Sequence, residues 1–301
     1  MRRLLDSIQA TTRNLDEVEV ILVIDEDDRE TAQFQYEGVI LKRVLVPPSL
    51  IMGELNMSGY RAATGKYLML LNDDVILRTP GWDDRVLSAF RSFPDGMVLV
   101  HVNDLVFLDT LCTFPFLTRE FCLLAGGICP EVYLRYRIDD HIQGIFELLG
   151  VLGQQRRTFQ GDVVFEHTSG VHYRVDPSVH EFDSRMFYSL LDERRRVALQ
   201  AMRRLDGGIH SEEYPKWKKE LERVSDSVAA TPPACLSRNN PLADFLELGA
   251  LQGRRPNPLF DTAWYLRQYP DAAESGMNPL EHFLEVGASK GYKPNPIFDP
   301  V

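Results

Sequence analysis

Apolar, β-branched runs that stop abruptly at acidic clusters constrain this chain more than any other feature. Val18–Ile24 (VEVILVI) ends at Asp25-Glu26-Asp27-Asp28, and Tyr67–Leu71 (YLMLL) ends at Asn72-Asp73-Asp74. Val39–Val46 closes on Pro47-Pro48, and Met97–Val102 (MVLVHV) is a fourth such run. Continuous apolar runs of this length fit strands buried on both faces. Leu4–Gln9 and Leu55–Thr64 between them are helical in pattern, with Gly65 as a stop. Strands alternating with helices predict an α/β domain with a mostly parallel sheet. In such sheets ligands gather beyond the carboxyl ends of strands, where two of these runs place carboxylates.

Composition narrows the function classes. The 301 residues suffice for one large domain and a smaller one, and 44% hydrophobic content supports a sizeable core. A net charge of −11 argues against a broad nucleic-acid surface, which needs clustered Lys and Arg. The four cysteines form no CxxC pair, so they read as buried thiols of a reducing, cytoplasmic compartment. No run approaches the roughly 20 apolar residues of a membrane span. Contact with a membrane or a protein is then expected only at the periphery, through the C-terminal part.

After Phe165 the pattern turns helical, through Val179–Leu205 and Glu212–Val228, and Ala229–Pro233 reads as a linker. Beyond it NPLADFLELGALQGRRPNPLFD, from Asn240, recurs as NPLEHFLEVGASKGYKPNPIFD, from Asn278. The offset is about 38 positions, a repeat-sized period. Each copy reads as a short helix after Pro, a Gly stop and an extended PNP segment. The expected organisation is a domain over 1–175, a helical extension over 176–230 and a small helical repeat module over 236–301.

Two adjacent carboxylates at a strand end raise each other's pKa or recruit a cation. Mg²⁺ and Mn²⁺ take oxygen ligands and bridge carboxylates to substrate phosphates. The same aspartates also suit a helix N-cap. The later stretch YLRYRIDDHIQGIFELLG holds a second pair, Asp139-Asp140, for which capping and general-base chemistry are the two readings.

The segment AATGKYLMLLNDD, preceded by a strand ending in Asp25, resembles the nucleotide-binding half of family 2 glycosyltransferases, roughly over residues 1–175. The resemblance implies a GT-A, Rossmann-like fold and transfer of a sugar, with inversion, from a nucleotide-sugar donor, UDP-linked by expectation, to a glycan or other hydroxyl acceptor. It implies that Asp25, Asp27, Asn56 and Asp73 hold the nucleotide. Asp74 becomes the main metal ligand, with Asn72 where the family often has Asp and His167 as a late imidazole ligand. Mg²⁺ or Mn²⁺ is the implied cofactor. Asp140 or Asp139 takes the place of the catalytic base, and Phe114–Glu120 with Leu124–Gly127 that of the acceptor-side segment. Asp162, Glu166 and His172 are weaker candidates. The family's first strand has no counterpart, which predicts a sheet without it. The C-terminal repeat looks like modules appended to bacterial glycosyltransferases. Two other classes compete: a degenerate relative that binds partners through its repeats, and a nucleotidyltransferase, for which no Gly-rich phosphate loop is visible.

Overall fold

The computed structural model describes residues 1–168, 176–207, 213–229, 260–275 and 277–295. The chain divides into two compact units, Met1–Gly170 with Ser178–Pro232, and Val171–Pro177 with Pro233–Val301. Most of the first repeat copy (240–259), linker residues 230–233, Cys235 and His172 lie outside the described residues.

In the first unit the elements run α1 (Arg2–Thr11), β1 (Glu19–Asp25), α2 (Arg29–Gln33), β2 (Ile40–Val46), α3 (Met52–Ala62), β3 (Tyr67–Met69), β4 (Val75–Leu77), α4 (Trp82–Arg91) and β5 (Leu99–Asn103). They continue through β6 (Phe116–Thr118), α5 (Arg119–Ala125), α6 (Ile138–Val151), β7 (Arg157–His167), α7 (Pro177–Ser189), α8 (Leu191–Leu205) and α9 (Tyr214–Ala229). The α/β character follows the expectation.

The strands form two sheets. β1 and β2 make a parallel pair, and five strands pair in the order β3-β6-β5-β7-β4. Parallel pairing, expected for most of the sheet, holds for β1–β2 and β5–β7, while β3–β6, β6–β5 and β7–β4 are antiparallel. The physical reason is that apolar runs report burial on both faces, and burial does not fix the direction of a neighbour. β7 joins β5 through its first half and β4 through its last three residues.

MVLVHV behaves as a two-face strand. Leu99 enters a core with α5, α6 and α8, whereas Val98, Val100 and Val102 enter a second core with α1 and α4. Side chains of successive strand residues point to opposite faces, so one run serves both layers. VEVILVI differs: only Ile24 in β1 is buried, as its partner β2 covers one edge of a two-stranded sheet. Glu19 ties that sheet to β3's approach by accepting N–H groups of Thr64 and Gly65 and pairing with Lys42. Burial works to raise its pKa, but Lys42 and these donors outweigh it and hold the carboxyl down to about 2.

Helices α8 and α9 of the expected extension add Val197, Ala198 and Leu221 to the first core. α7 contributes Asp183, which is fully buried. Its carboxylate accepts the backbone N–H groups of Leu134, Arg135 and Tyr136 at 2.8, 2.9 and 2.7 Å. This fixes the turn that launches α6. Gly53 allows α3 to lie against the same stretch, since a Cβ there would sit 2.5 Å from the Pro130 carbonyl oxygen.

In the second unit, Pro279–His282 forms the short helix expected after Pro, and Asn278 caps it by accepting the Leu280 N–H. Phe260, Tyr265, Ala272 and Leu280 form its core. Cys112, Cys122 and Cys129 are buried free thiols, as expected. Among the described residues no helix is long and apolar enough to cross a membrane.

Asp183→Ala strands three N–H groups in the interior. Urea denaturation should show a loss of about 3 kcal/mol, well above that of an exposed control such as Asp192→Ala.

Candidate active site

Pairing of β4 with β7 decides where LNDDV lies. Val75 pairs with His167 in antiparallel register, so the residue before β4 meets the last residue of β7. His167 Nε2 stands 3.2 Å from Asp74 Oδ1, and the Asp74 carbonyl accepts the backbone N–H of Thr168 at 2.9 Å. The Thr168 hydroxyl donates to the same carbonyl at 2.6 Å. Two residues proposed as metal ligands from distant parts of the sequence are thus neighbours. Asn72 and Asp73 are exposed in the loop between β3 and β4.

Among the described residues no three His, Cys, Asp or Glu side chains surround one point as a complete ligand set. A carboxylate beside an imidazole is a two-donor site. It fits Mn²⁺ or Mg²⁺ only if a diphosphate and water supply the remaining ligands, as such ions commonly allow.

Asp25 ends β1, Asp27 is exposed in the turn after it, and Asn56 sits on α3 beside the Cys129 thiol. Glu166 pairs with Arg78 and Asp162 with Arg85 across β4, β7 and α4, which accounts for both as strand-edge ion pairs.

Asp139 and Asp140 occupy the first turn of α6, inside the helix rather than at its cap. The cap is Arg137, held in the left-handed region at φ 68°. Its guanidinium stands 3.3 Å from Asp140, 3.3 Å from the Ser184 hydroxyl and 3.4 Å from His180 Nε2. Asp140 is therefore engaged in a buried ion pair. Asp139 receives the Asp140 N–H at 3.1 Å. Burial, and next the Asp140 charge, push its carboxyl up to about 7.

A short segment joins these centres. The Cys112 thiol donates to the Asp139 carbonyl at 3.4 Å, and the Phe114 ring lies 5.8 Å from the His167 ring. Residues 112–114, which bend at Thr113 and Phe114, thus run from the Asp139 backbone carbonyl to the His167 ring. Asp104, which sequence reasoning missed, anchors that stretch. Its buried carboxylate accepts the Thr113 hydroxyl at 2.7 Å, and its carbonyl faces the His167 N–H at 3.5 Å. A lone Asp after MVLVHV-N carries no motif; only the run of N–H groups folded over it reveals its role.

A cavity of about 210 Å³ lies apart from these groups, lined by Met57, Phe121, Gly126, Ile142 and Val197 among others. Asp74, Asp139 and His167 do not line it. It does include Gly126 and Gly127 of the segment that the resemblance gives to the acceptor side.

No protein-family model matches the sequence, and no curated protein matches it. Solved structures do. TarS 1-349 from S. aureus in complex with UDP is 15% identical over 94% of this chain and 82% of that chain, with a TM-score of 0.48. Mannosyltransferase PcManGT from Pyrobaculum calidifontis, in complex with GDP-Man and Mn²⁺, is 16% identical over 97% of this chain and 77% of that chain, with a TM-score of 0.47. Against a longer S. aureus TarS structure the match covers 84% of this chain and 49% of that chain, at 14% identity and a TM-score of 0.46. This chain thus spans about half the length of that TarS chain. At these identities and scores the likeness assigns neither a substrate nor a role to any residue.

The raised pKa of Asp139 has a signed consequence. A carboxyl whose folded pKa exceeds its unfolded value of 3.8 keeps its proton longer in the folded state. Its contribution to stability is therefore lost as pH rises from about 4 to about 7. Asp139→Asn removes that loss. Its stability relative to the parent should climb by about 3 kcal/mol between pH 4.5 and pH 7.5, as read from denaturation midpoints.

Proposed function

We propose that this chain is a glycosyltransferase of family 2 type that moves a sugar, with inversion, from a nucleotide-sugar donor to an acceptor hydroxyl. The observation that carries the reading is the convergence of Asp74 and His167 at 3.2 Å beside a stretch of backbone whose other end touches the Asp139 backbone carbonyl. The AATGKYLMLLNDD lead-in supports the family, and the UDP seen with TarS supports a UDP-linked donor.

Each residue has a task in this reading. Asp74 and His167 would hold a divalent ion, for which Mn²⁺ suits the imidazole and finds a parallel in the PcManGT complex. When bound, that ion offsets the negative charge of the diphosphate. Asp139 accepts the proton of the acceptor hydroxyl. The acceptor oxygen forms its bond to the anomeric carbon as the bond to the diphosphate oxygen breaks, and the diphosphate leaves with the electron pair. Arg137 pairs with Asp140 beside Asp139, whose pKa is raised by burial and next by the Asp140 charge. Asp25, Asp27, Asn56 and Asp73 remain the proposed nucleotide contacts, and the C-terminal repeats a proposed partner surface.

Calorimetric titration of UDP and UDP-sugars, with and without Mn²⁺, tests the reading. Metal-dependent binding in the parent that Asp74→Ala abolishes supports it; absence of nucleotide binding in any condition sinks it. Asp139→Asn should keep donor affinity and lose roughly 10²–10⁴-fold in kcat. In the parent, kcat should rise with pH through about 7 as Asp139 deprotonates, since only the carboxylate accepts a proton. A flat acid limb in the pH–rate profile would count against this assignment.

A further inference from the structure

Helices α3, α5, α6 and α8 and the turn after α5 supply the walls of the cavity of about 210 Å³. Its buried walls carry Met57, Phe121, Ile142 and Val197, and one imidazole, that of His141, which is 2% exposed. The Cys129 thiol, also in the lining, is turned to the Gly53 carbonyl at 3.9 Å. The exposed Arg61 and Glu131 pair with each other, and half-buried Glu193 adds a carboxylate. Asp139, two positions before His141 on α6, does not line the cavity. Helix positions i and i+2 do not share a face.

The contacts of His141 fix where its proton sits. Nδ1 lies 2.9 Å from the Tyr133 hydroxyl and 3.5 Å from an Arg194 nitrogen. A guanidinium only donates, so Nδ1 must accept. Burial, and next the Arg194 charge, lower the imidazole pKa to about 3 and keep the ring neutral. A neutral imidazole has one N–H, and Nε2 must carry it. Among the described residues no protein acceptor takes that N–H, since both contacts of the ring are to Nδ1. A buried donor left unpaired is costly, and an acceptor within the cavity satisfies it.

Size and charge restrict what can bring that acceptor. An apolar cavity of about 150 Å³ already takes benzene, whereas drug-sized ligands need about 300 Å³ or more. The space here suits a single ring and not a nucleotide. Glu131 and Glu193 repel an anion, and an ammonium group brings donors to a donor. We propose that this cavity is a second binding site, for a small uncharged ring compound that offers an oxygen acceptor to His141 Nε2–H over the apolar walls.

NMR on the full chain labelled with ¹⁵N-histidine tests this near neutral pH, with His141→Gln assigning the signal. The His141 ring should carry its proton on Nε2, and cyclohexanone should shift that N–H saturably. Cyclohexanecarboxylate and cyclohexylamine, which share the ring but are charged, should bind at least about tenfold more weakly. Val197→Met extends a side chain into the cavity and should weaken cyclohexanone about tenfold. Glu193→Gln should raise the affinity for the carboxylate. A proton on Nδ1 overturns the proposal, as does a His141 signal unmoved by cyclohexanone at about 50 mM. Equal affinity for the three compounds overturns it too, as does undiminished cyclohexanone binding in a folded Val197→Met. If that variant fails to fold, the Glu193→Gln comparison decides in its place, and an unchanged preference against the carboxylate overturns the proposal. Asp74→Ala should bind cyclohexanone as the parent does, whatever it does to UDP, so this site and the transferase reading fail separately. Loss of cyclohexanone binding in Asp74→Ala would move the ring to the other centre and overturn the second site.

Discussion

The Asp104 carboxylate, taking three backbone N–H groups on one oxygen and the Thr113 hydroxyl on the other, is the contact on which the candidate site depends. An unsatisfied buried donor costs as much as a lost hydrogen bond, so a loop that turns inward needs an internal acceptor. Asp104 supplies it, and its own carbonyl meets the end of β7 beside His167. One side chain thereby sets the loop, the 112–114 segment and the last residue of the longest strand.

The same device recurs through the first unit. Asp183 takes three N–H groups ahead of α6. Asp83 takes the N–H groups of Arg13 and Asn14 at 3.0 and 2.8 Å, tying the chain after α1 to the start of α4. Burial acts to raise the Asp83 pKa, but these donors prevail and lower it. Glu19 does the same before β3. Part of the net acidity of the chain thus stands at loop junctions, where carboxylates substitute for the ladder partners that irregular backbone lacks.

The two candidate reactive centres are products of different elements. Asp74 and His167 meet because β4 and β7 pair antiparallel. Asp139 owes its environment to helix α7, whose Asp183, Ser184 and His180 hold the turn and the Arg137 guanidinium that engages Asp140. α7 comes after the strands and would be dispensable by sequence pattern alone. Instead it holds the Arg137 guanidinium against Asp140.

By itself the sequence determined the elements and the residue types at their ends. The runs VEVILVI and MVLVHV became strands because β-branched apolar residues favour an extended chain, although only MVLVHV has both faces covered. LNDDV and Asp139-Asp140 stood out because paired carboxylates need compensation. Tertiary structure decided what a linear pattern cannot carry: strand direction, the partner of each carboxylate, and the left-handed backbone at Leu105, Leu108 and Arg137. Pairing direction depends on which edges meet, and a left-handed leucine or arginine has no local signature, since its strain is tolerated only where distant groups hold the backbone in place. For the same reason Asp104 and Asp183 were invisible beforehand. Their function lies in the N–H groups gathered around them, and only the folded chain brings those together.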